Sequence, residues 1–164
     1  VRWRFHSTAE IAAETAAVLH QTRAMLGDEP FFAAFRRYTA DWAYKHPQPL
    51  DFFRSFAASV GQDLEPYFRT WFYEKWSLDH AVGKVEANGA GTLVTVLDRG
   101  RAWHPCVVEV AYADGRTERQ LVPMPHWRTT TSAELRFGAD VVKVTLDPDL
   151  GTIDVDRKNN VWEK

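Results

Sequence analysis

The chain has 164 residues and a formal net charge of −2, with 45% hydrophobic and 26% charged residues. That is enough chain for one domain, or two small ones, with a real core. The near-neutral balance excludes a bulk basic field for nucleic acid or an anionic membrane surface. One cysteine, Cys106, excludes an intrachain disulfide, and no apolar run is long enough to suggest a membrane span.

In chain order, Ser7-Thr8-Ala9-Glu10 has the form of a capping box and predicts a helix start. Ile11, Thr15, Val18, Leu19, Thr22, Met25 and Leu26 keep one face until Gly27 stops the helix. Alanines 12, 13, 16 and 17 would let another helix approach closely. A second helix starts between Asp28 and Pro30, with Phe31, Phe32, Phe35, Tyr38 and Trp42 as its stripe. Pro47 and Pro49 break what precedes them, and Asp51 falls in the first turn of a third helix carrying Phe52, Phe53, Phe56 and Val60. Gly61 stands where a left-handed cap belongs, and Asp63 is the next candidate N-cap. Leu64, Tyr67, Phe68, Trp71 and Phe72 then form the stripe of a fourth helix. On that phase Trp71 is a core residue, and its removal is expected to cost roughly 3–5 kcal/mol.

Beyond Trp76 the period changes. All but five of the 22 aromatic residues lie in the first 76 positions, and alternating runs follow: Leu93 to Leu97, Val107 to Tyr112, Ala133 to Phe137 and Val142 to Leu146. Asp114-Gly115 signals a two-residue hairpin of type I′, Arg99-Gly100 a weaker one, and Gly138 to Asp140 a further turn. Six or seven short strands at this spacing predict a small β-sandwich. The expected fold class is α+β: an N-terminal bundle of about four helices over 1–78, then an antiparallel β-sandwich over 79–164. The short junction predicts two parts packed together.

The run from Asp51 to Tyr73, "DFF…GQDL…YFRTWFY", resembles the end of the helical catalytic domain in zinc aminopeptidases of the aminopeptidase N type (gluzincins). The segment "LHQTRAMLGDEPFFAAFRRY" (Leu19 to Tyr38) is similar to helices upstream of it. "DVDRKNNVW" (Asp154 to Trp162) looks like the ending of bacterial secreted members. The resemblance implies a β-sandwich after the helices, as the alternating runs also predict. It implies that this chain, which opens at Val1 without Met, is the C-terminal piece of a longer metallopeptidase, with a periplasmic or secreted location favoured. Its function would be structural support of the peptidase domain. Its partners would be the rest of the parent polypeptide and, through the N-terminal helices, a second copy.

The chemistry of that family is missing from these residues. A zinc peptidase of this type needs His-Glu-x-x-His and a later Glu, and no such motif occurs. The six histidines (His6, His20, His46, His80, His104 and His126) never recur at helical ligand spacing. Aligning Leu19 and Gly27 with the family pattern puts Ala12 where its transition-state tyrosine stands and Glu14-Thr15 at its Lys-Gly. The phenol that would support an oxyanion is then absent. No catalytic, cofactor-binding or metal residue is therefore assigned, zinc is expected only upstream in the parent, and the chain alone is expected to be inactive. Asp147 to Asp154 resembles a calcium loop but lacks one ligand, and its Gly falls one place early, so a turn is preferred. Cys106, inside an apolar strand, reads as an inert thiol. Trp103, Trp127 and Trp162 carry the alternative reading, a free-standing peptide- or glycan-binding module.

Overall fold

A computed structural model of the chain describes residues 8–164, with side chains from Ala12 onward. The Ser7 capping box, His6 and the segment Trp3 to Phe5 lie outside the described residues. Four helices come first: α1 (Thr8–Leu26), α2 (Asp28–Trp42), α3 (Pro49–Val60) and α4 (Glu65–Tyr73). Seven strands follow: β1 (His80–Asn88), β2 (Gly91–Asp98), β3 (Cys106–Tyr112), β4 (Thr117–Val122), β5 (Ser132–Gly138), β6 (Val141–Leu146) and β7 (Val161–Glu163). One 3₁₀ turn, η1 (Met124–Arg128), precedes β5, and another, η2 (Arg157–Asn160), precedes β7. The fold is α+β, with helices followed by two antiparallel sheets.

The chain divides into two compact units, one of the residues up to Glu65 with Gly151–Ile153, the other of Pro66–Leu150 with Asp154–Lys164. In the first, α1 ends at Gly27, whose φ of 83° places it in the left-handed region and whose N–H donates to the Arg23 carbonyl. The prolines start α3 rather than merely ending what precedes it. Pro49 is its first residue, and Gln48 and Asp51 close a capping box, with the Gln48 N–H donating to Asp51 Oδ2 at 2.8 Å. Gly61 caps the other end at φ 66°. The α2 and α3 stripes meet in an aromatic cluster in which Phe56 is fully buried. Its ring lies 4.4 Å from Phe52, 5.7 Å from Phe31 and 5.8 Å from Phe35.

In the second unit α4 keeps company with the strands. Asp63 accepts from the Glu65 N–H, as an N-terminal capping side chain should. The stripe turns one step from its expected phase: Tyr67, Phe68 and Thr70 are buried, Trp71 is half-buried and Phe72 is 37% exposed. Trp71 lies 6.3 Å from the Tyr67 ring, and its indole N–H reaches the Trp103 carbonyl at 3.4 Å. Trp71→Ala should therefore cost less than the full-burial figure, about 1–2 kcal/mol, whereas Tyr67→Ala should reach about 3–5. Urea midpoints of the two variants check the order.

The strands form a three-stranded sheet, β1-β2-β5, and a four-stranded sheet, β4-β3-β6-β7. Their facing residues make one core. Val94 and Val96 from β2 and Ala133 and Phe137 from β5 share it with Val108, Val110 and Tyr112 from β3 and Val144 and Leu146 from β6. Val94 and Val96, not Leu93 and Leu97, point inward, which decides the register of the whole strand.

Two turns differ in kind from expectation. Only Gly115 of the Asp114-Gly115 pair has positive φ. The loop is a three-residue one in which Gly115 N–H donates to Tyr112 O and Tyr112 N–H to Arg116 O, a type I turn with a left-handed glycine rather than type I′. Arg99-Gly100 joins no hairpin, because β2 pairs with β1 and β5 and the chain crosses here to the other sheet. The loop is held instead by Asp98 Oδ1, which accepts from the Gly100 and Arg101 N–H groups at 3.1 Å each. A Cβ on Gly100 would lie 2.1 Å from the Ser77 carbonyl oxygen and 2.7 Å from the Asp79 nitrogen. Those are backbone atoms that cannot swing aside, so Gly100→Ala should cost about 3 kcal/mol, the top of the range for forced overpacking. Its thermal midpoint against the parent chain checks this.

Candidate functional site

The described histidines do not converge as ligands. His20 on α1 and His46 before α3 are exposed, and His126 in η1 stands against the Ser132 carbonyl, 2.8 Å from its Nε2. His80, at the start of β1, and His104, before β3, are both buried. Among the described residues no group of three or more His, Cys, Asp or Glu side chains could hold a metal ion, and no helix is long and apolar enough to cross a membrane. Ala12 and Glu14 are exposed on α1 and Thr15 is half-buried.

His80 and His104 belong to a buried polar cluster in the strand unit. The His80 N–H donates to Asp154 Oδ2 at 2.9 Å, and its ring lies 5.0 Å from that of Trp127. The His104 Nδ1 is 2.7 Å from the Pro105 carbonyl, which assigns the proton to that nitrogen. Burial, helped by His104 and opposed by Asp147, lowers the His80 pKa to about 3. The imidazole is neutral at physiological pH, and its Nε2 has no hydrogen-bond partner among the described residues. Cys106 is buried nearby, where burial and then the charges of Asp147, Asp154 and Asp98 push its thiol well up. A thiol so held is not a nucleophile.

The acidic loop scatters its carboxylates. Asp147 accepts from Arg157 Nη1 at 3.0 Å, Asp149 is clasped by Arg119 at 2.7 and 3.1 Å, and Asp154 caps the His80 N–H. Leu150 N–H donates to Asp147 O, so the segment is a turn braced by arginines. The three tryptophans are likewise spread. Trp127 is buried in the core, and Trp103 lies 6.3 Å from Trp76 with the Arg128 guanidinium 5.6 Å over its ring.

Trp162, on β7, lines a groove of about 330 Å³ at one end of the strand unit. Its other walls are Val85, Glu86 and Ala87 of β1, Thr92 of β2, Asp140 and Val141 beside the β5–β6 turn, and Lys164. β1 and β7 are the edge strands of the two sheets on this side. β1 is the strand least legible beforehand, because Gly83, Lys84 and Glu86 interrupt its apolar pattern and a bulge falls between Val82 and Val85.

No protein-family model matches the chain, and no curated protein matches its sequence. Solved structures do match. One is an aminopeptidase A of Legionella pneumophila, determined in complex with aspartic acid, at a TM-score of 0.67 and 17% identity over 85% of this chain. The chain spans only 17% of that protein's length. At this identity the likeness is one of fold.

Proposed function

We propose that the chain is a non-catalytic part of an aminopeptidase N-like zinc metallopeptidase, or of a catalytically degenerate relative, and that it supports the peptidase domain. One observation carries the reading. The match takes in 85% of this chain, and so both helices and strands, within 17% of a much longer aminopeptidase. The missing chemistry supports the same view, since the sequence holds no His-Glu-x-x-His and no tyrosine at the aligned position. The parent reading frame tests it: a His-Glu-x-x-His with a later Glu upstream of Val1 supports an active peptidase, and its absence throughout that frame leaves only the degenerate relative. The chain alone should bind no stoichiometric zinc and release no product from an aminoacyl p-nitroanilide. A zinc-to-protein ratio near one that survives dialysis against chelator overturns that part.

The same reading gives the helical unit a partner, either the rest of the parent or a second copy. Ala12, Ala13 and Ala16 are exposed on α1, and such a small-residue face suits close helix packing in a two-fold dimer. Light scattering at micromolar concentration should report a dimer that Ala13→Glu and Ala16→Glu together disperse. A monomer throughout removes the self-association.

A further inference from the structure

We propose that the groove between β1 and β7 binds an extended polypeptide segment, which adds as a strand to the free edge of β1 and sets an apolar side chain against Trp162 with a cationic one beside it. The inference does not depend on the peptidase reading, and it rests on the backbone first. β1 and β2 are joined by the two residues Gly89 and Ala90, with Gly89 at φ 63° as the first central position of a type II′ turn requires. A two-residue loop closes on a hydrogen-bonded pair, here Asn88 and Gly91. Pairs in an antiparallel ladder alternate between bonding each other and facing away. By that alternation Ala87 and Val85, paired with Thr92 and Val94, turn their N–H and C=O groups away from β2. Among the described residues β1 has no second strand neighbour, so these groups face the side on which Val85 and Ala87 line the groove.

The two sides of the sandwich are unlike. On the other side the edges of β4 and β5 are stitched by Gln120, whose Nε2 donates to the Arg136 carbonyl of β5 at 2.8 Å. On this side η2 packs on the start of β1, with Asn159 bonded to Asp79 at 2.8 Å, and leaves the Val85–Asn88 half to the groove.

Side-chain chemistry then selects the occupant. Val85, Val141 and the half-buried Trp162 make an apolar wall of a size for one large side chain. Glu86 and Asp140 present carboxylates at the rim that no hydrogen bond or ion pair engages among the described residues, and Lys164 is the ammonium beside them. The unmatched negative charge favours a lysine or arginine next to the apolar side chain, its head meeting a carboxylate on the Glu86 face while the apolar neighbour lies on the indole. A glycan would use the indole and the carboxylates but would leave the free β1 edge unused.

The test is a titration of the 164-residue chain with a capped hexapeptide of alternating threonine and valine carrying a central Lys-Phe pair. A hexapeptide with Glu in place of Lys, and cellohexaose, serve as comparisons. The expected result is a shift of the Val85 and Ala87 amides and of the Trp162 indole N–H, with the glutamate peptide at least about tenfold weaker. Glu86→Gln, at an exposed position, should weaken the lysine peptide by about threefold to tenfold and tighten the glutamate peptide, from which it removes a like charge. Ala87→Pro removes an outward donor without touching the β1–β2 ladder and should abolish binding by the lysine peptide. Shifts elsewhere on the surface, equal affinity for both peptides, a response to cellohexaose alone, or no shift at millimolar peptide each overturn the proposal.

Discussion

Phe56→Ala is expected to lower the stability of the chain by about 3–5 kcal/mol, a large share of the 5–15 kcal/mol that holds a domain of this size. Phe56 is fully buried, and three further rings, Phe31, Phe35 and Phe52, surround it within 6 Å. Truncation removes the apolar area and also leaves a void that helices anchored by a capping box and a left-handed glycine cannot close. Phe72→Ala, at a position 37% exposed, should cost far less and serves as the internal control. Equal denaturation midpoints for the two variants would show that the α2–α3 aromatic contact does not hold the helical unit.

The second large effect is on acid stability. In the folded chain burial holds the His80 pKa at about 3, against about 6.5 when unfolded. A group whose folded pKa is depressed contributes stability that is fully present above its unfolded pKa and is lost as pH falls through that value towards the folded one. The window is thus pH 6.5 down to about 3, and the loss is about 5 kcal/mol at its lower end. Burial raises the pKa of Asp98, so that group favours the folded state on acidification and offsets part of the loss. Thermal midpoints measured from pH 8 to pH 5 should fall steeply for the parent chain and stay nearly flat for His80→Gln, which keeps the backbone bond to Asp154. Parallel curves would mean that His80 takes up its proton without unfolding, by local opening.

Among the helices, reading was direct wherever a local rule operates. Gly27, Gly61, Asp51 and Asp63 act as stops and caps because the groups they satisfy lie within a turn of them. Phe31, Phe35 and Phe56 were legible as a stripe for the same reason. Trp71 was not, because a short helix rich in aromatics offers several stripes of nearly equal weight, and only its neighbours choose among them. The candidate groove was hidden for a related reason. Of its walls the sequence pattern singles out Trp162 and, as part of a turn, Asp140. Glu86, Asp140 and Lys164 are far apart in the chain and obey no spacing rule.

By itself, then, the sequence determined the α+β class, the helix boundaries set by glycine, proline and acidic caps, and the alternation of β2, β3, β5 and β6. Each depends on backbone preferences and side-chain periods that act over a few residues. Only the tertiary structure decided which strands share a sheet, that α4 joins the strand unit, that Arg99-Gly100 crosses between sheets, and that β1 and β7 flank a groove. Those depend on pairings across tens of residues, such as the bond from His80 to Asp154, whose partners carry no mark of one another until the chain has brought them together.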